Sequence, residues 1–329
     1  VELERILMIV AAVVVVALIL KKKSKKGGGR KKSVSIKGRA TQILPSERPG
    51  YFAVEVWQGQ VFGGTYALNR PQTLRRDGAA WPIPATESIY QMVPDGDRLL
   101  LCCEHSGGKL FQLRGGAVST AWSGGLHTTI SAFRAKGRLF AVSTRFDEGG
   151  VMVHDTGNNR SVTLSDGKTH ARQGFEYEDF AYIIGFDYSR NMGGWWISAD
   201  GNVWNWRDMM PGIRPLKAAI GDKVYLACSP YNGQRIPPAT IMSWDGRNLE
   251  VEHRQGGHAM FMGIAADGSD WFAGSLTNWR GSGNAVLVHN GKVIWTAPHP
   301  EIPDLCLDKG VLYAATRNER GVGGIWRIT

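Results

Sequence analysis

One short strand pattern occurs seven times in this chain of 329 residues: two mostly large apolar residues, two apolar or small ones, then a small one. The copies are Val61-Phe62-Gly63-Gly64-Thr65, Leu99-Leu100-Leu101-Cys102-Cys103, Leu139-Phe140-Ala141-Val142-Ser143, Ala181-Tyr182-Ile183-Ile184-Gly185, Val224-Tyr225-Leu226-Ala227-Cys228, Trp271-Phe272-Ala273-Gly274-Ser275 and Leu312-Tyr313-Ala314-Ala315-Thr316. Their starts lie 38, 40, 42, 43, 47 and 41 residues apart, which is room for four short strands with their turns. The second column is aromatic in six of the seven copies and the fifth is always Thr, Cys, Ser or Gly, so close packing recurs at that point. Composition agrees: 42 glycines and 12 tryptophans without long helix-forming runs predict mostly β structure. With 43% apolar and 21% charged residues, the chain can bury a large core and is not disordered.

The flanks of the copies repeat as well. Before the pattern an apolar stretch closes on a turn, as in Ile89 to Gly96, Ile130 to Gly137, Met260 to Gly268 and Leu305 to Gly310. After it come a loop and a third strand ending in Gly115-Gly116, Gly157-Asn158, Asp200-Gly201, Asp245-Gly246 or Asn290-Gly291, dipeptides that tolerate the positive φ of tight hairpins. A fourth strand follows, for example Ala117 to Trp122 and Lys292 to Trp295. Residues 33–329 therefore resemble a β-propeller, similar to WD40 and YVTN-like propellers in architecture only, since the Trp-Asp dipeptide of WD repeats does not recur. The expected fold class is all-β, a seven-bladed propeller preceded by a hydrophobic transmembrane α-helix. The last copy ends at Thr329 one strand short, and the extended segment 33–41 is expected to complete that blade and so remove both open edges. Six blades plus an irregular first segment is the alternative, because residues 42–87 are rich in proline and match the pattern least well.

Ahead of the repeats, residues 1–20 read as an anchor and residues 21–32 as a basic, glycine-rich tether. Ile6 to Leu20 is an unbroken apolar run of fifteen residues, about 22 Å as a helix against a hydrocarbon core of about 30 Å. Counting from Val1, with lysine stems snorkelling, extends it to about twenty. Ile6, Leu7, Ile9, Val13, Val16 and Leu20 are its expected lipid contacts. Glu2 and Glu4 precede the run and lysines follow it, the reverse of a cleaved signal peptide, so a retained single-pass helix is expected. A helix buried in a filament or capsid is the alternative; the early acidic residues give a weak similarity to pilins that the basic run does not share.

The net charge of +10 sits mostly in the tether. Lys21, Lys22, Lys23, Lys25, Lys26, Arg30, Lys31 and Lys32 supply +8 and residues 1–5 contribute −1, which leaves +3 from Ser33 onward. A nucleic-acid reader carries its charge on a folded face, so nucleic acid is not expected as a partner of the body. The tether serves as a stop-transfer spacer, a site for anionic lipid headgroups, or a phosphate contact. Lysines resist translocation, so the body is expected on the cytoplasmic side of the membrane.

Chemical motifs are sparse. Cys102 and Cys103 are adjacent and point to opposite faces, and with Cys228 and Cys306 they lack zinc spacing, so four reduced, buried thiols are expected. Ser198 to Trp204 resembles the Asp-box of sialidase-like propellers with its Gly one place early and its Thr missing; Asp200-Gly201 reads more economically as a hairpin turn. No catalytic residue, metal site or cofactor is expected. In this strand order, loops between second and third strands share one face with loops between blades. The first set carries Arg145, Arg190, Tyr231, Arg235, Trp279, Arg280, Arg317 and Arg320. The second carries His127, His170, Trp206 and His258, together with Trp122, Arg172, Arg207, His253, Arg254 and His299. Arg and aromatic residues are the types enriched at binding hot spots. Histidines on one side also suit a metal site or a pH-sensitive surface, although no pair has ligand spacing.

Three functions remain open at this point. The first is a membrane-anchored, non-enzymatic scaffold or recognition module for a protein partner. The second is a structural, spike or attachment protein of a virion or other membrane-containing assembly. The third is a channel hydrolase or lyase, for which Asp147, Glu148 and Asp187 are carboxylates of the right type.

Overall fold

Every copy of the repeated pattern forms the second strand of a four-stranded antiparallel unit. The computed structural model describes residues 36–44, 50–165, 167–231, 238–277, 283–318 and 320–329. Three blades are separate sheets: Thr128–Ala135, Arg138–Thr144, Val151–Asp155 and Arg160–Ser165; Thr169–Tyr177, Phe180–Asp187, Met192–Ser198 and Asn205–Pro211; Ile213–Ile220, Val224–Pro230, Ala239–Trp244 and Leu249–Gln255. These are blades 3, 4 and 5. Blades 1 and 2 run together because two strands serve twice. After Tyr51–Trp57, Gln60–Arg76 supplies the second and third strands of blade 1, and Ala79–Asp95 supplies its fourth and then the first of blade 2. Arg98–Cys103, Leu110–Arg114 and Ala117–Trp122 complete blade 2. Residues 51–85 thus make a regular blade despite their prolines, and the six-blade alternative does not describe the chain.

Met260–Asp267, Asp270–Leu276, Val286–His289 and Lys292–Thr296 form blade 6, and Glu301–Asp308, Val311–Arg317 and Gly323–Ile328 begin blade 7. Its fourth strand comes from the other end of the described chain. Ala40–Leu44 pairs antiparallel with Gly323–Ile328, matching Ala40 to Ile328 and Gln42 to Trp326, while Arg39 and Thr329 exchange two backbone hydrogen bonds of 3.0 Å. Against the expected 33–41, the closing strand runs from Ala40 to Leu44. The reason is Gly38: its φ is +77° and a Cβ there would lie 2.0 Å from the Ile294 carbonyl oxygen, so regular pairing starts beyond it. The anchor and the tether, residues 1–32, lie outside the described residues. Among the described residues no helix is long and apolar enough to cross a membrane.

The fifth column of the repeat has a purpose beyond small size. Its hydroxyls hold neighbouring backbone: Ser143 Oγ accepts from the amide of Leu126, in the loop before its blade, at 2.9 Å, Ser275 Oγ from that of Val286 in the third strand at 2.9 Å, and Thr65 Oγ1 from that of Thr73 at 2.8 Å. In blade 7, Thr316 Oγ1 meets His299 Nδ1 at 3.0 Å and accepts from Trp326 Nε1 at 3.0 Å. In blades 3 and 7 the loop that leads into the blade is thereby tied to its second strand, and the Leu126 amide gains an acceptor that a buried junction would otherwise deny it.

Each inner strand carries a β-bulge at one equivalent place. The ladder passes over Phe52, Tyr90, Ile130, Arg172, Leu216 and Met262 in blades 1 to 6, and over Ile302 and Pro303 in blade 7. A bulge re-aims the side chains around it. The residue after the bulge reaches the neighbouring blade: Gln91 Oε1 accepts from the Ala132 amide at 3.3 Å, Ser131 Oγ from that of Gly174 at 3.0 Å, and Gln173 Oε1 from that of Ala218 at 2.8 Å. Asp304 Oδ2 accepts from the Val54 amide at 3.0 Å and its Oδ1 takes Lys217 Nζ at 2.6 Å. Blade 1 has Ala53 at this place and adds no side-chain link, and the belt skips blade 6, where the equivalent residue is Gly263. Its Cβ would sit 3.0 Å from the Asp304 backbone, so glycine keeps this inner strand close to blade 7.

Candidate functional site

Inside the belt is a cavity of about 130 Å³ lined by residues of all seven inner strands, among them Glu55, Tyr90, Gln173, Lys217 and Asp304. Beside it, Glu55 accepts hydrogen bonds from the Val56 amide at 2.8 Å and from the Cys306 thiol at 3.2 Å. Burial is the largest influence on Glu55 and raises its pKa to about 7; the Cys306 and Val56 bonds oppose this and the nearby Asp304 and Asp308 charges add to it. The four cysteines are free; Cys102, Cys103 and Cys228 are buried, whereas Cys306 is half-buried and engaged with Glu55.

The raised value sets a pH dependence. Below pH 4.5 Glu55 is protonated in both folded and unfolded chains; between 4.5 and about 7 the unfolded chain ionises first, so stability falls as pH rises, and above 7 the whole penalty is present. Glu55→Gln keeps an acceptor for the Cys306 thiol and removes that penalty. The variant should match the parent at pH 4 and exceed it by about 3 kcal/mol at pH 8.5 in urea titrations. A variant less stable than its parent at pH 8.5 would contradict this account.

Above the cavity the two loop sets meet on one face, as the strand order requires. They are joined by backbone hydrogen bonds from Tyr188 to Lys168 at 3.0 Å, Tyr231 to Gly212 at 2.6 Å and Ala239 to His258 at 3.0 Å. On this face a cleft of about 570 Å³ is lined by Glu104, Phe146, Asp147, Glu148, Gly149, Lys168, His170, Arg172 and Tyr188. Arg172 borders both the cleft and the channel cavity. Its guanidinium lies 4.9 Å over the Phe146 ring and hydrogen-bonds the hydroxyls of Tyr90 and Tyr188. Arg214 Nη1 donates to the same Tyr188 hydroxyl at 3.1 Å. An aromatic arc follows the wall, with His170 4.6 Å from Tyr188, and Tyr188 5.6 Å from Tyr231.

The field at this mouth is positive. Burial, then Arg172 and Arg214, pull the His170 pKa down to about 4, so the ring is neutral at physiological pH, with Asp147 opposing only in part. For Tyr188, burial acts upward but the two arginines outweigh it and hold the phenol below its usual value.

The expected face residues divide into several groups. Arg145, Arg320 and His127 are exposed on the loops, Arg145 pairing with Glu148 at 2.9 Å and His127 packing edge-on to His105 with centroids 4.4 Å apart. His170 lies in the cleft and Tyr231 is 40% exposed at the end of the arc. His258 is half-buried and its Nδ1 meets Ser275 Oγ at 2.9 Å, a structural bond of the loop. Arg190 is spent within the chain, on Asp187 at 2.7 Å and on both oxygens of Asp208. Arg317 is a correction. It is the last residue of a second strand, pairs with Glu301 at 2.5 Å with both side chains largely buried, and stacks 3.8 Å over Tyr66, so it is part of the packing.

Trp206 is another correction, because it sits in the outer strand Asn205–Pro211 and packs on Trp196 at 4.6 Å. Trp122, Arg207, His253 and Arg254 likewise fall in outer strands. Arg235, Trp279 and Arg280 lie outside the described residues. Of the candidate carboxylates, Asp147 and Glu148 line the cleft, while Asp187 accepts from Ser189 and Arg190.

No protein-family model matches this chain, and no curated protein matches it. Solved structures do. The extracellular domain of a putative hybrid two component system from B. thetaiotaomicron aligns at a TM-score of 0.63 and 10% identity, over 88% of this chain and 39% of that one. U3-55K aligns at 0.60 and 11% identity over 88% and 98% of the two chains, and the RRP9 WD40 repeats at 0.61 and 11% over 90% and 98%. The fold is a β-propeller. This chain spans about two fifths of that extracellular domain, and at such identities the likeness concerns architecture alone.

Proposed function

We propose that this chain is a non-enzymatic recognition module, a rigid propeller that offers its loop face to a protein partner while residues 1–20 moor it to a membrane. The observation that carries the reading is the convergence of two hydrogen-bonded loop sets around one open cleft with arginine and aromatic walls. The membrane anchor and the cytoplasmic placement of the body rest on the apolar run and the lysines that follow it.

The test compares two faces. Arg145→Glu, Lys168→Glu and Arg320→Glu together reverse exposed charges of the loop face; Lys136→Glu, Arg247→Glu and Lys309→Glu do the same on hairpin turns of the opposite face. The first set should cut recovery of the native partner in crosslinked membranes at least tenfold, and the second should leave it within twofold. Equal loss from both sets would overturn the assignment. Melting temperatures of both variants should stay near the parent's, since surface charges of this kind contribute at most about 1 kcal/mol.

A further inference from the structure

We propose that the cleft is a receptor for an oxyanion carried by the partner, a carboxylate or a phosphomonoester, with Arg172 as its cationic floor. This rests on the partner-binding reading above and names the chemistry that the partner must present.

The argument begins with charge. Arginine stays ionised in a protein, and a largely buried cation without a counterion is costly. Arg98, Arg114, Arg134, Arg138, Arg145, Arg190 and Arg317 each have a carboxylate partner. Arg172 has none among the described residues. Its partners are two phenols and the Phe146 ring, which hold the guanidinium in place and leave its charge uncancelled. The bulge in blade 4 is what puts it there, at the boundary between cleft and channel.

The surroundings extend that charge. Lys168 lines the same cleft, and His170 beside it has a buried Nδ1 with no hydrogen-bond partner, as does Nε of Arg172. Arg172 and Arg214 hold the Tyr188 phenol below its usual value and, second to burial, help keep His170 neutral, so their charge is felt at both rings. At the rim the balance reverses. Asp147, Glu148 and Glu104 line the opening, although Arg145 neutralises Glu148 and Ser88 donates to Glu104. A cleft with a cationic floor and a partly acidic rim selects an anion flanked by basic residues over a uniformly acidic segment.

Three blocked tripeptides make the test: Lys-Glu-Lys, Lys-phosphoserine-Lys and Lys-Gln-Lys, titrated into the full 329-residue chain with Arg172 and His170 side-chain resonances observed by NMR. At least one of the two anionic peptides should shift both resonances in a saturable manner, and Lys-Gln-Lys should bind at least tenfold more weakly. Which anion binds more tightly identifies the source of the oxyanion. Arg172→Gln should abolish the response without lowering the melting temperature, and Arg172→Lys should retain part of it. The proposal falls if neither anionic peptide moves these resonances, if Lys-Gln-Lys matches them, or if Arg172→Gln binds like the parent. Should Arg172→Gln not fold, the Lys-Gln-Lys comparison on the parent still decides. Loss of the partner through Arg145, Lys168 and Arg320 with no tripeptide response would leave the module standing and remove only this site.

Discussion

A chain truncated to begin at Tyr51 should lose on the order of 5 kcal/mol of stability and self-associate, because it lacks the strand that closes the ring. Ala40–Leu44 supplies the fourth strand of blade 7, Leu44 is 6% exposed, and Ile36 at 8% packs among Phe272, Ile302 and Ile328. Burying each of these two side chains contributes about 1.5–3 kcal/mol, and each lost ladder bond about 1 kcal/mol more. That is a large share of the 5–15 kcal/mol typical of a folded protein. The truncation also bares the outer edge of Gly323–Ile328, whose backbone groups are then free to pair with a second chain. A chain beginning at Ile36 keeps every contact described and should unfold at the parent's midpoint. Chemical denaturation and size-exclusion chromatography of the two truncations make the comparison; a monomeric Tyr51 chain with an unchanged midpoint would show that closure contributes nothing.

The blades were legible in the sequence because every second strand keeps one short run of apolar and small residues, and left-handed turns demand particular residues. Gly115 and Gly116 have φ of 56° and 79°, and Asn290 and Gly291 have 45° and 81°, as tight hairpins require. The belt was not legible. A bulge shifts which face a residue meets by one position and leaves no signature in composition, so Gln91, Gln173, Lys217 and Asp304 read as ordinary strand residues. Distance in the chain hid the rest: Lys217 meets Asp304 across 87 positions and Cys306 meets Glu55 across 251. At the mouth the sequence carries a signal in its spacing. Phe146, Tyr188 and Tyr231 each stand three residues after the fifth column, in three successive blades, and form the arc beside Arg172 and His170. Arg317 shows the opposite case, since its loop-like position is a strand end whose guanidinium stacks over Tyr66.

Asp304→Ala should be the costliest single substitution in the channel, at about 4 kcal/mol. Asp304 joins three blades: it belongs to blade 7, accepts from the Val54 amide of blade 1, and holds Lys217 of blade 5. The side chains of Lys217 and Asp304 are only 11% and 14% exposed, so neither charge is screened by bulk water. Removing the carboxylate leaves a buried ammonium without a counterion and a backbone amide without an acceptor. Asp304→Asn keeps an oxygen for Val54 and loses only the charge, so its cost should fall between the parent and the alanine variant. Replacing both partners, Lys217→Met with Asp304→Leu, removes both charges and should recover much of the loss. That non-additivity in urea midpoints separates an ion pair from mere packing. Glu55 supplies a second readout. The Asp304 charge is one of the influences that raise its pKa, and without it the unpaired Lys217 attracts the Glu55 carboxylate, so in Asp304→Asn the titration of Glu55 should move below its value of about 7. Single variants that each cost under about 1 kcal/mol, with Glu55 titrating unchanged, would mean that the belt does not hold the ring together.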